Sequence, residues 1–281
     1  MFSIHNIEDA LLSVYLFVTD TLENNLSWAQ WRRSNNHEPA FTDAEVLTIA
    51  LMQGCLGCAT LKQTYLFIAY NHRQAFPKLC TYQRFIARLH ALRELVGHLI
   101  EAALSDHKMP ARVYIVDTKP IPLCKAVRHG RVRLLRQEGA YFGKNSVGWY
   151  FGFKIHVLMH KDGSILNVLL TSANVSDKDI DVVTLLCSSV EGGLAFGDLG
   201  YRSKPLRKAL KEVGMGLLTP ADLKEPHRLF LRQKRERIET AFSNLWDKFI
   251  DRVRSRSWAG LWNSILLKVL HYNLCQASIL A

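Results

Sequence analysis

The hydrophobic pattern of this chain changes period near Pro110. Ahead of it, apolar residues recur every three or four positions; beyond it they run continuously or alternate, with helical stretches interleaved. Val113-Tyr114-Ile115-Val116 reads as a short, fully buried strand. From 149 to 159, Phe151, Phe153, Ile155, Val157 and Met159 face one way and Gly152, Lys154 and His156 the other. Gly163 turns the chain into a second run at 165–170, so the two form a hairpin. Helices are expected at 178–189 and 204–213, and short strands at 194–197 and 216–219, the last stopped by Pro220. A long helix over about 228–253 carries the stripe Ile238, Phe242, Leu245 and Phe249.

The order strand, strand, strand, helix, strand, helix, strand, helix fits a mixed sheet covered by helices, its first three strands forming a meander. This is the order of the ribonuclease H-like fold. The expected class is α/β: a ribonuclease H-like mixed sheet flanked by helices, preceded by an N-terminal all-helical domain. The expected boundaries are 1–108 for the helical domain, 109–258 for the α/β domain and 259–281 for a C-terminal helix. In the front domain, Thr42 and Glu45 make a capping box ahead of Val46, Leu47, Ile49, Ala50 and Leu51. From Thr81 to Ile100, the three-to-four spacing of Phe85, Leu89, Leu92, Val96 and Leu99 predicts one long amphipathic helix.

Three acids occupy telling positions. Asp117 ends the first buried strand, Asp198 ends the run Leu194-Ala195-Phe196-Gly197, and Glu239 lies on the long helix beside Ile238. Carboxylates at the C-terminal ends of buried strands stand where α/β sheets place their chemistry. In a ribonuclease H-like fold the strand-one, post-strand-four and late-helix positions are those of these three residues. Oxygen donors suit hard ions, here two Mg²⁺ or Mn²⁺, which can flank an in-line displacement at phosphorus. Any one acid alone would be read as a strand cap or helix decoration; the trio points to metal-dependent phosphoryl transfer.

Charge supports a polyanionic partner. Lys and Arg number 36 against 25 Asp and Glu, giving +11 and a pI near 9.5. The segment 119–144 reads as a long basic arm with Arg128, Arg131 and Arg133. Lys154 and His156 share the strand face opposite the apolar one and are expected to look toward the site. Arg235, one turn before Glu239, and Lys248 and Arg252 beyond it extend the positive charge. These eight residues are the expected DNA contacts, with solvated surface charge as the bland alternative. Basic faces on the helical domain could also grip DNA.

No basic n-region precedes the apolar segment 10–18, and polar residues interrupt 261–281, so neither a secretory signal nor a membrane span is expected. Cys55 and Cys58 form the one C-x-x-C of six scattered cysteines and read as core thiols. The expected compartment is the reducing cytoplasm.

Tyr114-Ile115-Val116-Asp117, the run from Tyr150 to His156, Thr171-Ser172-Ala173-Asn174, Gly197-Asp198-Leu199-Gly200-Tyr201 and Arg235-x-x-Ile238-Glu239-x-x-Phe242 together resemble DDE transposases of bacterial insertion sequences. The insertion sequence family numbered 982 is the nearest in pattern, over about 41–260, including Phe41-Thr42-Asp43-Ala44-Glu45-Val46-Leu47-Thr48. The resemblance implies metal-dependent cuts at transposon ends, attack of a freed 3′-hydroxyl on target DNA, and Asp117, Asp198 and Glu239 as the triad. It also implies DNA as partner, a homodimer or larger assembly at paired ends, and a bacterial, nucleoid-associated setting. The chain departs from the wider group seven residues before and after Glu239, where Arg232 and Trp246 replace Tyr and Lys. A catalytically inactive DNA-binding descendant and a ribonuclease H-like nuclease without strand transfer are the alternatives, separated by whether cleaved and joined products form.

Overall fold

The computed structural model describes residues 7–24, 39–105, 112–128, 130–131, 133–145, 148–247 and 255–280. The chain divides into two compact units, Met1–His107 with Ala259–Ala281, and Lys108–Trp258.

The first unit is helical among its described residues: α1 (Ile7–Asn24), α2 (Asp43–Cys55), α3 (Leu61–Asn71), α4 (Tyr82–Ala91), α5 (Arg93–Ser105) and α9 (Trp258–Gln276). The Thr42 hydroxyl accepts the Glu45 N–H at 3.2 Å, and the Glu45 carboxylate accepts the Thr42 N–H, so the capping box starts α2 as the spacing predicts. Residues Val46 to Met52 are all buried, which makes α2 the centre of the unit. The single helix expected from Thr81 to Ile100 is instead two, because the buried Leu92 leaves helical geometry and its N–H closes α4 on the Arg88 carbonyl. The apolar period runs through the break, which is why the sequence conceals it. The last helix belongs here: Asn263 Nδ2 donates to the Leu89 carbonyl at 3.2 Å, and the His271 ring fills the space where a Cβ on Gly54 would sit.

The second unit is built on a six-stranded sheet. Its elements are β1 (Val113–Lys125), β2 (Tyr141–Asn145), β3 (Gly148–His160), β4 (Ile165–Ser172), α6 (Ile180–Cys187), β5 (Gly193–Phe196), α7 (Lys204–Glu212), β6 (Met215–Leu218) and α8 (His227–Asp247). The main order is β4-β3-β1-β5-β6, antiparallel from β4 to β1 and parallel from β1 to β6. Strand β2 pairs with the start of β3, in line with β4 along the same edge. This is the ribonuclease H-like mixed sheet that the element order predicts.

Helices α6 and α7 cover one face through Val183, Leu186, Leu206 and Leu210, packed with Tyr114, Val116, Leu158 and Tyr201. Helix α8 lies against β1 and buries Ile238, Ala241 and Phe242. Because both faces are covered, β3 is buried almost without interruption from Tyr150 to His160, rather than on one side only.

The basic arm expected at 119–144 is strand at both of its ends. Strand β1 continues through Lys125, paired with β3 out to Lys125 opposite Tyr150, and β2 follows at Tyr141. Pro120 and Pro122 conceal this extension in the sequence. They occupy alternate positions, so their missing N–H groups fall on one edge and pairing with β3 continues past both. Gly152 permits this stretch to close, since a Cβ there would lie 2.2 Å from the Ile121 carbonyl oxygen.

Candidate active site

Asp117 and Asp198 are brought together by strand register. Ile115 pairs with Phe196 on the parallel neighbours β1 and β5, and each aspartate lies two residues further on. Asp117 is still in β1, whereas Asp198 opens the turn after β5, so both lie just beyond the paired ends of adjacent strands, and both carboxylates act on the buried Tyr201 phenol. Both are half-buried. Asp117 Oδ1 accepts the Thr118 N–H at 2.8 Å. Asp198 caps the 3₁₀ turn Leu199–Tyr201, its Oδ1 accepting the Gly200 N–H at 2.8 Å. These local bonds hold each carboxylate at its strand end.

Glu239 comes to the Asp117 side of the sheet on α8. Lys119, two residues beyond Asp117 and so on its side of β1, places its Nζ 5.6 Å from the centre of the Phe242 ring. Glu239 lies one helical turn before Phe242, and it is exposed while Ile238, Ala241 and Phe242 are buried. The helix thus anchors through its apolar stripe and turns the glutamate outward along β1.

Tyr201 lies beneath the turn that carries Asp198. It is 1% exposed, and burial pushes its phenol well above the usual range, reinforced by the carboxylates of Asp117, Asp177 and Asp198. Gly197 makes this approach possible, because a Cβ there would lie 2.8 Å from Tyr201 Cβ and Cγ. The role of Tyr201 and the tie from Lys119 to Phe242 escaped the sequence reading. The spacing of Gly197 and Tyr201 was the available signal for the first.

The two aspartates present only oxygen donors and so fit a hard divalent cation in donor chemistry. Among the described residues, no three His, Cys, Asp or Glu side chains are gathered closely enough to hold a metal ion, so Glu239 does not complete a closed ligand set here.

The expected DNA contacts separate into groups. Arg128, Arg131 and Arg133 are exposed on the segment that follows β1. Arg235 lies on α8, but its side chain is outside the described residues, as are Lys248 and Arg252 altogether. Lys154 and His156 do not look toward the acids. Asp117 pairs with Val157, which places Asp117 on the Val157 face and Lys154 and His156 on the opposite one. Lys154 Nζ donates to the Val175 carbonyl at 2.7 Å and to Asp177 at 2.6 Å. His156 is 1% exposed, with Nε2 2.9 Å from the Thr171 hydroxyl. Burial, helped by the Lys154 charge, pulls the imidazole down to about 4. Alternation in the sequence identified their shared face, but only the pairing of β1 with β3 decides which face the acids occupy.

The family described as a transposase DDE domain matches residues 107–258. No curated protein matches the chain. Among solved structures, similarity extends to a piggyBac transposase synaptic complex with hairpin DNA, at 15% identity and TM-score 0.38, over 76% of this chain and 51% of that one. This chain therefore spans about half the length of the piggyBac chain. A pre-cleavage Mos1 transpososome is similar at 12% identity and TM-score 0.26, over 88% of this chain and 81% of that one. A Mos1 transposase paired-end complex with left transposon end gives 13% identity and TM-score 0.26 over the same shares. Among the described residues, no helix is long and apolar enough to cross a membrane.

Proposed function

The chain belongs to the transposase DDE-domain family, and from that premise we propose that it cuts DNA at the ends of a bacterial insertion sequence and joins those ends to target DNA. The position of Asp117 and Asp198, each two residues beyond the last pair of the parallel neighbours β1 and β5, is the observation that supports this reading. In it, these two carboxylates hold Mg²⁺ or Mn²⁺, two ions in all, with Glu239 reaching the same face from α8. The bound ions supply charge relief at the phosphate and at the attacking and leaving oxygens. In the joining step a 3′-hydroxyl oxygen forms a new bond to phosphorus as the target's P–O bond breaks, and the departing oxygen ends protonated. Lys119 and the buried Phe242 keep α8 against β1, which holds Glu239 on the side of the sheet that carries Asp117. Tyr201 fills the floor under Asp198 and excludes water from that side.

Arg128, Arg131 and Arg133 contact DNA phosphates in this reading, as do Arg235, Lys248 and Arg252. Residues 1–108 bind DNA, 109–258 perform the chemistry, and the protein works as a homodimer or larger assembly in the bacterial nucleoid. Membership in a 982-like insertion sequence family is part of the same proposal.

The test uses the element's own ends, Mg²⁺ and a target plasmid, scoring cut and joined products for the natural protein and for Asp117→Asn. The expected outcome is both products from the first and neither from the second. Cutting without joining identifies a nuclease; end binding with no product identifies an inactive descendant. Cleavage that survives Asp117→Asn removes the role given to Asp117.

A further inference from the structure

Two aromatic rings sit next to one another on one face of β3, each with a cation above it. Arg136 Cζ lies 5.4 Å from the centre of Phe151, and Lys144 Nζ lies 5.8 Å from the centre of Trp149. The pairs differ in access: Phe151 is 2% exposed, whereas Trp149 is 63% exposed and keeps most of its indole open. A single exposed apolar side chain is ordinary. This one stands in a basic stretch of the unit. Residues 125–149 hold six Lys or Arg against a single Glu, which is +5 of the chain's +11.

The location is also informative. Trp149 has the parity of Phe151, Phe153, Ile155 and Val157, and Val157 is the partner of Asp117. The open ring is therefore on the acids' face of the sheet. Eight strand residues separate Trp149 from the level of Asp117, about 26 Å at the strand rise. That is about eight base steps of stacked strand.

A cationic surface recognises the sugar–phosphate backbone of any DNA, but a duplex keeps the faces of its bases inside the stack. An open indole among phosphate-binding cations is matched to bases that have lost their partners. We propose that the start of β3, with the facing end of β2, is a platform for unpaired DNA nucleotides, with Trp149 stacking on a base and Lys144, Arg136 and Arg133 taking the adjoining phosphates. This rests on the DNA-processing reading above and adds to it a strand-specific contact remote from the acids. Lys144, over the indole, brings positive charge to the phosphate beside the stacked base, while Arg136 lies over the buried Phe151, so that Trp149 is the ring offered to the ligand.

The test is fluorescence-anisotropy binding of the full-length Asp117→Asn protein, with and without further changes, to a mixed-sequence single strand and to its duplex. Trp149→Ala should weaken single-strand binding about tenfold and change duplex binding by less than about twofold. Trp149→Phe should restore most of the loss, and Lys144→Gln should lower the salt dependence of single-strand binding. Failure of the Asp117→Asn parent to bind the single strand, no further loss in Trp149→Ala, or equal losses on both ligands would overturn the proposal. Cutting and joining by the natural chain are scored separately. If they occur while Trp149→Ala binds the single strand normally, only the platform fails; if Trp149 proves selective but no product forms, only the transposase reading fails.

Discussion

Lys119 and Phe242 join β1 to α8, with the lysine Nζ 5.6 Å from the ring centre, and each lies within three residues of a candidate acid. Lys119 is two residues after Asp117, and Phe242 is three after Glu239. The contact therefore couples the position of the helix to the strand that carries the first aspartate. Phe242 is 2% exposed. Truncating it should cost about 3–5 kcal/mol of stability by chemical denaturation, through lost burial and the cavity left behind. Lys119→Gln should cost less than about 1 kcal/mol. If Lys119→Gln nevertheless lowers cleavage several-fold at unchanged stability, the tie acts through the placement of Glu239.

Replacing either aspartate by asparagine keeps its shape and removes its charge. Asp117→Asn and Asp198→Asn should each reduce cutting by more than about 10²-fold. The thermal midpoint should move little, because the backbone N–H groups that each carboxylate now satisfies can bond to the amide oxygen instead. Near-normal cutting by either variant, with correct folding by circular dichroism, would count decisively against the assigned pair.

Gly197 tests the floor of the site. An added methyl would meet Tyr201 at 2.8 Å, so the 3₁₀ turn holding Asp198 has to shift. Gly197→Ala should destabilise by about 1–3 kcal/mol, as overpacking usually does. It should also lower cleavage more than the stability loss alone explains. Because the contact is with Tyr201 Cβ and Cγ, which leucine keeps, the combined change Gly197→Ala with Tyr201→Leu should not recover stability; recovery would place the clash further out on the ring.

His156 predicts a pH dependence of folding. Its imidazole is held neutral down to about 4 in the folded chain, against about 6.5 when unfolded. Between those values the unfolded state binds more protons, so stability is full above pH 6.5 and falls as the pH drops toward 4. From pH 7.5 to pH 5 the loss attributable to this group is about 2 kcal/mol. His156→Gln should flatten that part of the stability profile measured by urea unfolding. An unchanged slope would place the titration elsewhere.

Much of this architecture is written in local patterns, and the parts that are not share a cause. Buried strand cores such as Val113 to Val116 are legible because an apolar run bounded by turn residues has few other uses. The strand-end positions of Asp117 and Asp198 are legible for the same reason, as the first charges after such runs. Extension of β1 to Lys125 was hidden because prolines argue against strands, and only the partner strand reveals that both fall on the unpaired edge. The break at Leu92 was hidden because two helices meeting there keep one apolar period. Lys154 and His156 were misplaced because which face the acids occupy depends on register between distant strands, and no local pattern encodes that.

The last helix, α9, shares a unit with helices that begin some two hundred and fifty residues earlier. During synthesis the α/β body leaves the ribosome whole and uninterrupted, free to set its acids in place. The helical unit must wait for its final piece, with Leu261, Ile265 and Leu270 still to arrive at its core. A chain stopping at residue 258 would thus carry the whole α/β unit but lack Leu261, Ile265 and Leu270, which the helical unit buries.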